Sequence, residues 1–433
     1  MGRFGRDFGL YFTSQVVSQL GTSFTQFALP LLVFKLTGSA TNLAITTAAT
    51  FVPYLLFGLV LGAVADQVDR KRMMVGVDLV RAGVVAVLPI LSVADQLEVW
   101  HIYVVAFALS TVGILFDCGE FAAVPSLVPS DDLVTANGWI MATNSAGQVL
   151  GPVVAGLLLA LVPVAQLLFV DSATFLLSAL ALMSIRRSFN TADAPAADDG
   201  DGPAAVGRIR SVFRDVGVGL RYVLGNPVLR TISLMMAIIN FVGVTQGTQL
   251  VLFAKERLAA TDAEVGVLYA AGSAGVVVVG LAAGAIRRRL SFVVTALGAL
   301  VVSGLALAAM GLVRSFPVAL VLWAAASGFG LLLNINTGAL RQAIVPPHLF
   351  GRVISIAGVL AWSAIPLGAL AGAAVIEATD DIAAVYVGIG LLTAVIAAGF
   401  ALSPIREGDR YLAAAKAAGA AADDDDASLT AAP

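Results

Sequence analysis

Apolar residues run along this chain in long blocks, and polar residues gather in short clusters between them. Twelve blocks have the length of about 20 residues that a bilayer-spanning helix needs: near 8–34, 41–65, 73–94, 101–124, 137–161 and 165–185, then 228–253, 262–286, 291–313, 316–340, 353–377 and 382–403. An even number of spans puts both chain ends on one face. Of the 433 residues 59% are hydrophobic and 12% charged. A helical bundle in water carries about a quarter charged residues, so composition excludes a soluble class. The first block has no small-residue cleavage site beside it and reads as a retained helix rather than a signal.

The basic residues orient this array. With the termini inside, twenty of the 25 Lys and Arg fall on the cytoplasmic face, four (Lys35, Lys255, Arg257, Arg314) on the other, and Arg81 within a span. That asymmetry fixes the expected topology by the positive-inside rule. Between the sixth and seventh blocks, 191–207 is rich in Ala, Asp, Gly and Pro and reads as a flexible linker. After it, Ile209, Val212, Phe213, Val216 and Leu220 alternate with Arg208, Arg210, Arg214 and Arg221, the pattern of a helix lying on the inner leaflet. The expected organisation is a six-helix bundle in 1–190, a cytoplasmic linker in 191–227, a second six-helix bundle in 228–405 and a disordered acidic tail in 406–433.

The halves repeat each other. A shift of 217 residues lays Val128 and Pro129 on Val345 and Pro346, Gly151 on Gly368 and Ala155 on Gly372, and a shift of 218 lays Gly62 on Gly280. Parallel six-helix repeats are the plan of a two-bundle transporter.

Charge returns between the second and third blocks in GAVADQVDRKR, from Gly62 to Arg72. Gly62 lets two helices approach, Asp66 is placed to face a positive helix end, and Arg70, Lys71 and Arg72 sit at the anionic leaflet. This hairpin resembles the loop between helices 2 and 3 of the major facilitator superfamily, matching at Gly62, Asp66, Arg70 and Lys71 and departing at Asp69, where the pattern has glycine. The fifth block holds GQVLGPVVAG, in which Gly147, Gly151 and Ala155 make a smooth face and Pro152 permits a bend. With Gly156 it resembles the helix 5 motif of proton-coupled antiporters, which implies export. The first three spans, and PSLVPSDDLVTANG ahead of the helix 5 motif, resemble the drug-efflux branch that contains macrolide exporters and the enterobactin exporter.

Acids inside the spans are the sharper chemical signal. Asp78 and Arg81 share a face of the third segment at i, i+3, and Asp117 and Glu120 do so on the fourth. Antiparallel neighbours bring Arg81 level with Asp117, so the spacing predicts a pair between them. Each such acid costs on the order of 2.5–3.5 kcal/mol to insert, and acids in excess of their counter-charge are candidate proton carriers. The same cluster also reads as a structural latch. Asp171 and Glu377 lie near outer ends and read as interfacial.

Gln15, Gln19, Thr22 and Gln26 recur every three or four residues on the first segment, one polar stripe facing a central cavity. Asn240, Gln246 and Gln249 on the seventh and Asn334 and Asn336 on the tenth are its counterparts. Each also reads as an interhelical hydrogen-bonding residue, and Phe24, Phe27, Phe241 and Trp362 as packing. The two histidines, His101 and His348, make no metal site, and the four lysines sit in no phosphate loop, so no cofactor is expected and the proton gradient is the energy source. A net charge of −3 offers no field for nucleic acid.

The resemblance implies an all-α, twelve-helix major facilitator in the bacterial inner membrane, a monomer that exports amphipathic drugs or secondary metabolites by alternating access. On that reading Gly62, Asp66, Arg70, Asp78 and Arg81 govern the cytoplasmic gate, Asp117 and Glu120 couple protons, and Gln15, Gln19, Gln26, Asn240, Gln246, Asn334 and Asn336 line the cavity. A lysophospholipid flippase on the same scaffold is the competing function, and a non-transporting sensor a more distant one.

Overall fold

The computed structural model describes residues 5–65, 68–129, 132–189, 217–411 and 413. The first bundle comprises α1 (Gly5–Thr37), α2 (Ala40–Ala65), α3 (Arg70–Val93), α4 (Val99–Leu127), α5 (Leu133–Leu158) and α6 (Leu167–Met183). The second comprises α7 (Pro227–Thr248) with the short α8 (Leu250–Glu256), α9 (Asp262–Arg289), α10 (Ala299–Leu312), α11 (Phe316–Ile344), α12 (Pro347–Trp362), α13 (Ala364–Thr379) and α14 (Ile382–Phe400). Three expected spans are composite. Gln249 separates α7 from α8, a π-helical turn over Val294–Gly298 leads into α10, and Ser363 separates α12 from α13. The last break has a simple cause, because Pro366 lacks the N–H that the Trp362 carbonyl would accept. Among the described residues ten spans are long and apolar enough to cross a membrane; α5 is not one of them, and α6 is a shorter apolar helix. The protein is an all-α, multi-pass membrane protein.

Within the first bundle α1 packs on α5 and α6, α3 on α4 and α6, and α2 on α4; within the second α10 packs on α11 and α14, α9 on α11, and α7 on α13. Two seams join the bundles, α2 against α13 and α5 against α9. The repeat is visible in packing as well as in sequence. A Cβ on Gly151 of α5 would stand 2.3 Å from Ser23 Cβ of α1, and one on its counterpart Gly368 of α13 would stand 2.7 Å from Phe241 Cα of α7. In both copies a small residue lets a discontinuous or proline-bearing helix lie directly on the first helix of its bundle.

Polar contacts between the bundles gather at the face away from the chain ends. Asp262 of α9 accepts from Lys35 of α1 and, at 2.6 Å, from Lys255 of α8. Glu377 of α13 accepts from Ser39 Oγ and from the Thr41 N–H at the start of α2, satisfying an otherwise orphaned donor. Gln249 donates to the Ala40 carbonyl at 2.9 Å, and Thr47 meets Thr248 at 3.2 Å. Deeper in, Tyr54 meets Trp362 edge to face at 6.1 Å, and Phe27 meets Tyr269 at 5.8 Å.

At the opposite, basic face several expectations need revision. A Cβ on Gly62 would meet nothing within 4 Å, so close helix approach is not its role in this conformation. Asp66 lies outside the described residues. Asp69, the departure from the family pattern, caps α3 by accepting from the Arg72 N–H at 3.0 Å. Helix α5 runs unbroken through Pro152. The expected interfacial helix falls mostly outside the described residues, which resume at 217 and are helical through 225. Most of the expected tail lies outside the described residues, but its first residues are structured. Pro404–Glu407 form a 3₁₀ turn, and Asp409 accepts from Arg287 at 2.6 Å and from the Phe292 N–H at 2.9 Å.

Candidate transport site

The polar stripe on α1 faces a hollow. Gln15, Gln19, Thr22 and Gln26 all line a cavity of about 500 Å³, joined by Thr50 and Tyr54 of α2, Arg81 of α3, Asp117 and Glu120 of α4, Asn144 of α5 and Asp171 of α6. Every lining residue belongs to the first bundle. The i, i+4, i+7, i+11 spacing puts four side chains on one helical face, so this part of the site follows from the sequence pattern.

Buried charge is arranged differently from the expected Arg81–Asp117 pair. Arg81 forms its ion pair with Asp78, one turn back on α3, at 3.9 Å, and lays its guanidinium over Phe116 at 4.6 Å and near Phe175 at 5.5 Å. Phe116 takes the face toward Arg81, so its neighbour Asp117, about 100° further round α4, projects into the hollow and is exposed there. Gly113, one turn before Phe116, leaves room for the guanidinium: a Cβ there would lie 3.1 Å from Arg81 Nη2. Asp78 is fully buried, and its partner Arg81 borders the cavity of the first bundle.

Asp171 is the residue that sequence reasoning placed wrongly. It is 1% exposed, accepts from Thr25 Oγ1 of α1 and from Thr174 Oγ1 at 3.2 Å, and borders the cavity. It is not interfacial. Its position depends on Gly21, where a Cβ would stand 2.4 Å from Asp171 Oδ1 and 1.9 Å from Thr174 Oγ1. The available signals were Gly21 itself and the stripe Asp171, Phe175 and Ser178 on α6. Asp117, Glu120 and Asp171 border the same cavity as Arg81, which pairs with Asp78. Glu377, the other acid placed at an outer end, is there and exposed.

The second bundle has its own hollow of about 370 Å³, bordered by Asn240 and Gln246 of α7, Ser303 of α10, Ser327 and Asn334 of α11 and Thr393 of α14, with no charged residue in its lining. The expected cavity-lining residues are thus divided between a hollow in each bundle. Asn334 stands where the repeat has Asp117, so the charge is confined to one bundle. Asn240 donates to the Ala361 carbonyl at 2.9 Å, tying α7 to α12. Asn336 is 5% exposed and donates to the Leu332 carbonyl of its own helix at 2.7 Å, so it lines neither hollow. Gln249 is fully buried in the bundle seam. Phe24 and Phe27 belong to the apolar core. No cluster of metal-ligating side chains occurs among the described residues.

The helix 5 motif serves two neighbours. Gly147 and Gly151 face Gln19 and Ser23 of α1, while Pro152 and Gly156 face α9, where a Cβ on Gly266 would stand 2.5 Å from the Pro152 carbonyl oxygen. The motif therefore joins the polar stripe on one side to the bundle seam on the other.

Two repeated six-helix bundles, sealed together at one face and carrying hollows with buried charge in one half, define a membrane transporter of the major facilitator type, not an enzyme. The chain belongs to the transmembrane secretion effector family of that superfamily, whose model matches residues 6–420. It is 28% identical over 359 residues to the multidrug efflux pump Tap of Mycolicibacterium fortuitum, covering 80% of this chain and 84% of that one. It is 24% identical over 369 residues to macrolide efflux protein A of Streptococcus pyogenes, covering 83% and 86%. Among solved structures it resembles a bacterial homologue of the human lysosomal transporter Spinster in an inward-facing, unoccupied conformation, with a TM-score of 0.68, 14% identity and coverage of 94% and 97%. A bacterial homologue of the iron transporter ferroportin, also inward-facing, gives 0.63 at 18% identity, covering 91% and 98%. At these identities the likeness is one of fold.

Proposed function

We propose that this protein is a proton-coupled exporter of amphipathic drugs or secondary metabolites, working by alternating access in a bacterial inner membrane with both termini cytoplasmic. Arg81 pairs with Asp78 and borders a cavity that also holds Asp117, Glu120 and Asp171, and this excess of carboxylates over cations supports proton coupling most directly. Asp117 is the exposed member and meets protons from the open side, with Glu120 one turn away on the same face. The contacts of Lys35, Asp262, Lys255 and Glu377 close the outer face, so the conformation is inward-facing. Gly62, Asp66 and Arg70 act when the bundles rock and the basic face shuts. The neutral hollow of the second bundle, with Asn240, Gln246 and Asn334, takes the substrate's polar groups without demanding a charge. Relatives named for multidrug and macrolide efflux support drugs as cargo over the lysophospholipid reading. The chain works as a monomer, with protons and a small amphipathic molecule as its partners.

A panel of toxic compounds tested on cells making the wild type or Asp117→Asn checks this. Protection against some compounds that is lost in the variant, together with proton flux from purified protein in liposomes, is the expected result. Undiminished export of every protected compound by Asp117→Asn under a purely chemical pH gradient removes the proton assignment. Absence of any flux in the wild type removes transport itself.

A further inference from the structure

A cavity of about 550 Å³ opens on the basic face where the start of α3 meets the end of α6. Its rim carries Lys71 and Arg72 from α3 and Arg186 and Arg187 from the strand of chain leaving α6, against the single carboxylate of Asp69. Its wall is apolar, with Val75 and Leu79 of α3 and Met183 of α6. Leu79 and Met183 are 47% and 49% exposed, so this wall faces outward from the bundle. Leu79 stands nine residues beyond the first residue of α3, about 13 Å into the membrane at 1.5 Å per residue. The cavity is therefore a cationic rim at headgroup level continued by an apolar furrow toward the bilayer centre.

Part of this charge is already engaged. Lys71 donates to the Ile185 and Met183 carbonyls at 2.5 and 3.4 Å, closing the C-terminus of α6, and Arg187 donates to the Leu127 carbonyl at 3.4 Å and, through its N–H, to Asp7. Arg72 pairs with Asp69 at 3.6 Å, with its side chain 89% exposed. Arg186 is exposed at the rim.

The second bundle holds an anion beside the corresponding place. The 217-residue shift lays Arg70, Lys71 and Arg72 on Arg287, Arg288 and Arg289, and Val75 on Phe292. There the carboxylate of Asp409 sits on Arg287 and on the Phe292 N–H, while the Phe292 ring lies against Gly408 and fills the apolar side. In the first bundle the smaller Val75 stands at the place of Phe292 and lines the furrow. Exposed Arg72 and Arg186 above that apolar wall suit an anion with an apolar extension.

We propose that an anionic phospholipid occupies the α3–α6 cavity, its phosphate on Arg72 and Arg186 with Lys71 and Arg187 behind them, and one acyl chain along Val75, Leu79 and Met183. The furrow selects a lipid over a carboxylate from the linker, because a linker aspartate makes no use of an apolar wall. Bound there, the lipid ties the ends of α3 and α6 together beside the hairpin that moves when the bundles rock.

Native mass spectrometry of the full-length protein titrated with phosphatidylglycerol or phosphatidylcholine tests this, alongside thermal unfolding in nanodiscs of each lipid. One phosphatidylglycerol retained in preference to phosphatidylcholine is expected, with a higher unfolding midpoint in the anionic lipid. Arg72→Ala with Arg186→Ala should weaken retention roughly thirty-fold and abolish the midpoint difference, at about fivefold per basic residue near the surface. Arg288→Ala with Arg289→Ala, which removes two exposed arginines at the corresponding place in the second bundle, should leave both readouts unchanged. Equal losses in the two double variants would reduce the effect to diffuse surface charge and overturn the site. Retention that appears only after Asp193, Asp198 and Asp199 are changed to Asn would overturn it in favour of the linker.

Discussion

The guanidinium of Arg81 lies 4.6 Å from the centre of the Phe116 ring, and its Nη1 lies 3.9 Å from Asp78 Oδ1. A planar cation suits this combination of ring and carboxylate, and an ammonium does not stack in the same way. Arg81→Lys should therefore keep the charge yet lose about 1 kcal/mol of stability and most transport. Arg81→Leu should cost about 3–5 kcal/mol, because it leaves buried Asp78 without its cation. Adding Asp78→Asn to Arg81→Leu should recover part of that stability and none of the transport. Thermal unfolding and flux in proteoliposomes separate the two effects.

Asp171 is expected to act through its hydroxyl partners. Asp171→Leu strands the Thr25 hydroxyl in the interior and should destabilise by about 1–3 kcal/mol. Asp171→Asn retains an acceptor of the same shape and should cost about half as much or less. Unfolding midpoints of the two variants provide the check, and equal losses would place the cost in shape rather than hydrogen bonding.

Gly266→Ala drives a Cβ to 2.5 Å from the Pro152 carbonyl oxygen, and backbone on both sides leaves no flexible atom to move. The α5–α9 seam should separate, at an overpacking cost of about 1–3 kcal/mol to the conformation closed at that face. Modification of a cysteine placed at Ser39, by a membrane-impermeant reagent, should rise accordingly. Gly62→Ala meets nothing within 4 Å and should leave that accessibility unchanged.

Asp262→Asn loosens a lock made by Lys35 and Lys255, whose side chains are 42% and 17% exposed. Only the Lys35 pair crosses between the bundles, and a partly solvated pair contributes about 0.2–1 kcal/mol, so the closed-to-open ratio at that face should fall by only about 1.4-fold to fivefold. The shift should shrink as salt rises, since screening already weakens these pairs in the wild type. Distance distributions between spin labels on α1 and α9, recorded at low and high salt, measure it.

Transport itself was legible in the amino-acid order, from different physics at each level. Bilayer thickness makes the twelve spans visible, because no polar stretch survives in lipid at that length, and the 217-residue repeat makes the two bundles visible. The glutamine stripe on α1 was likewise readable, since 3.6 residues per turn fixes which side chains share a face.

Pairing across helices was not. The sequence determined that acids and one arginine lie inside the first bundle and that amides take their place in the second. Only tertiary structure decided that Arg81 stacks on Phe116 rather than closing on Asp117, that Asp171 is buried, that Asn336 turns away, and that the polar groups occupy two hollows. These outcomes depend on rotation about each helix axis and on how closely Gly21, Gly113 and Gly266 let neighbours approach. Both are set by packing between segments far apart in the chain, where a single residue of rotation, about 100°, exchanges one contact for another.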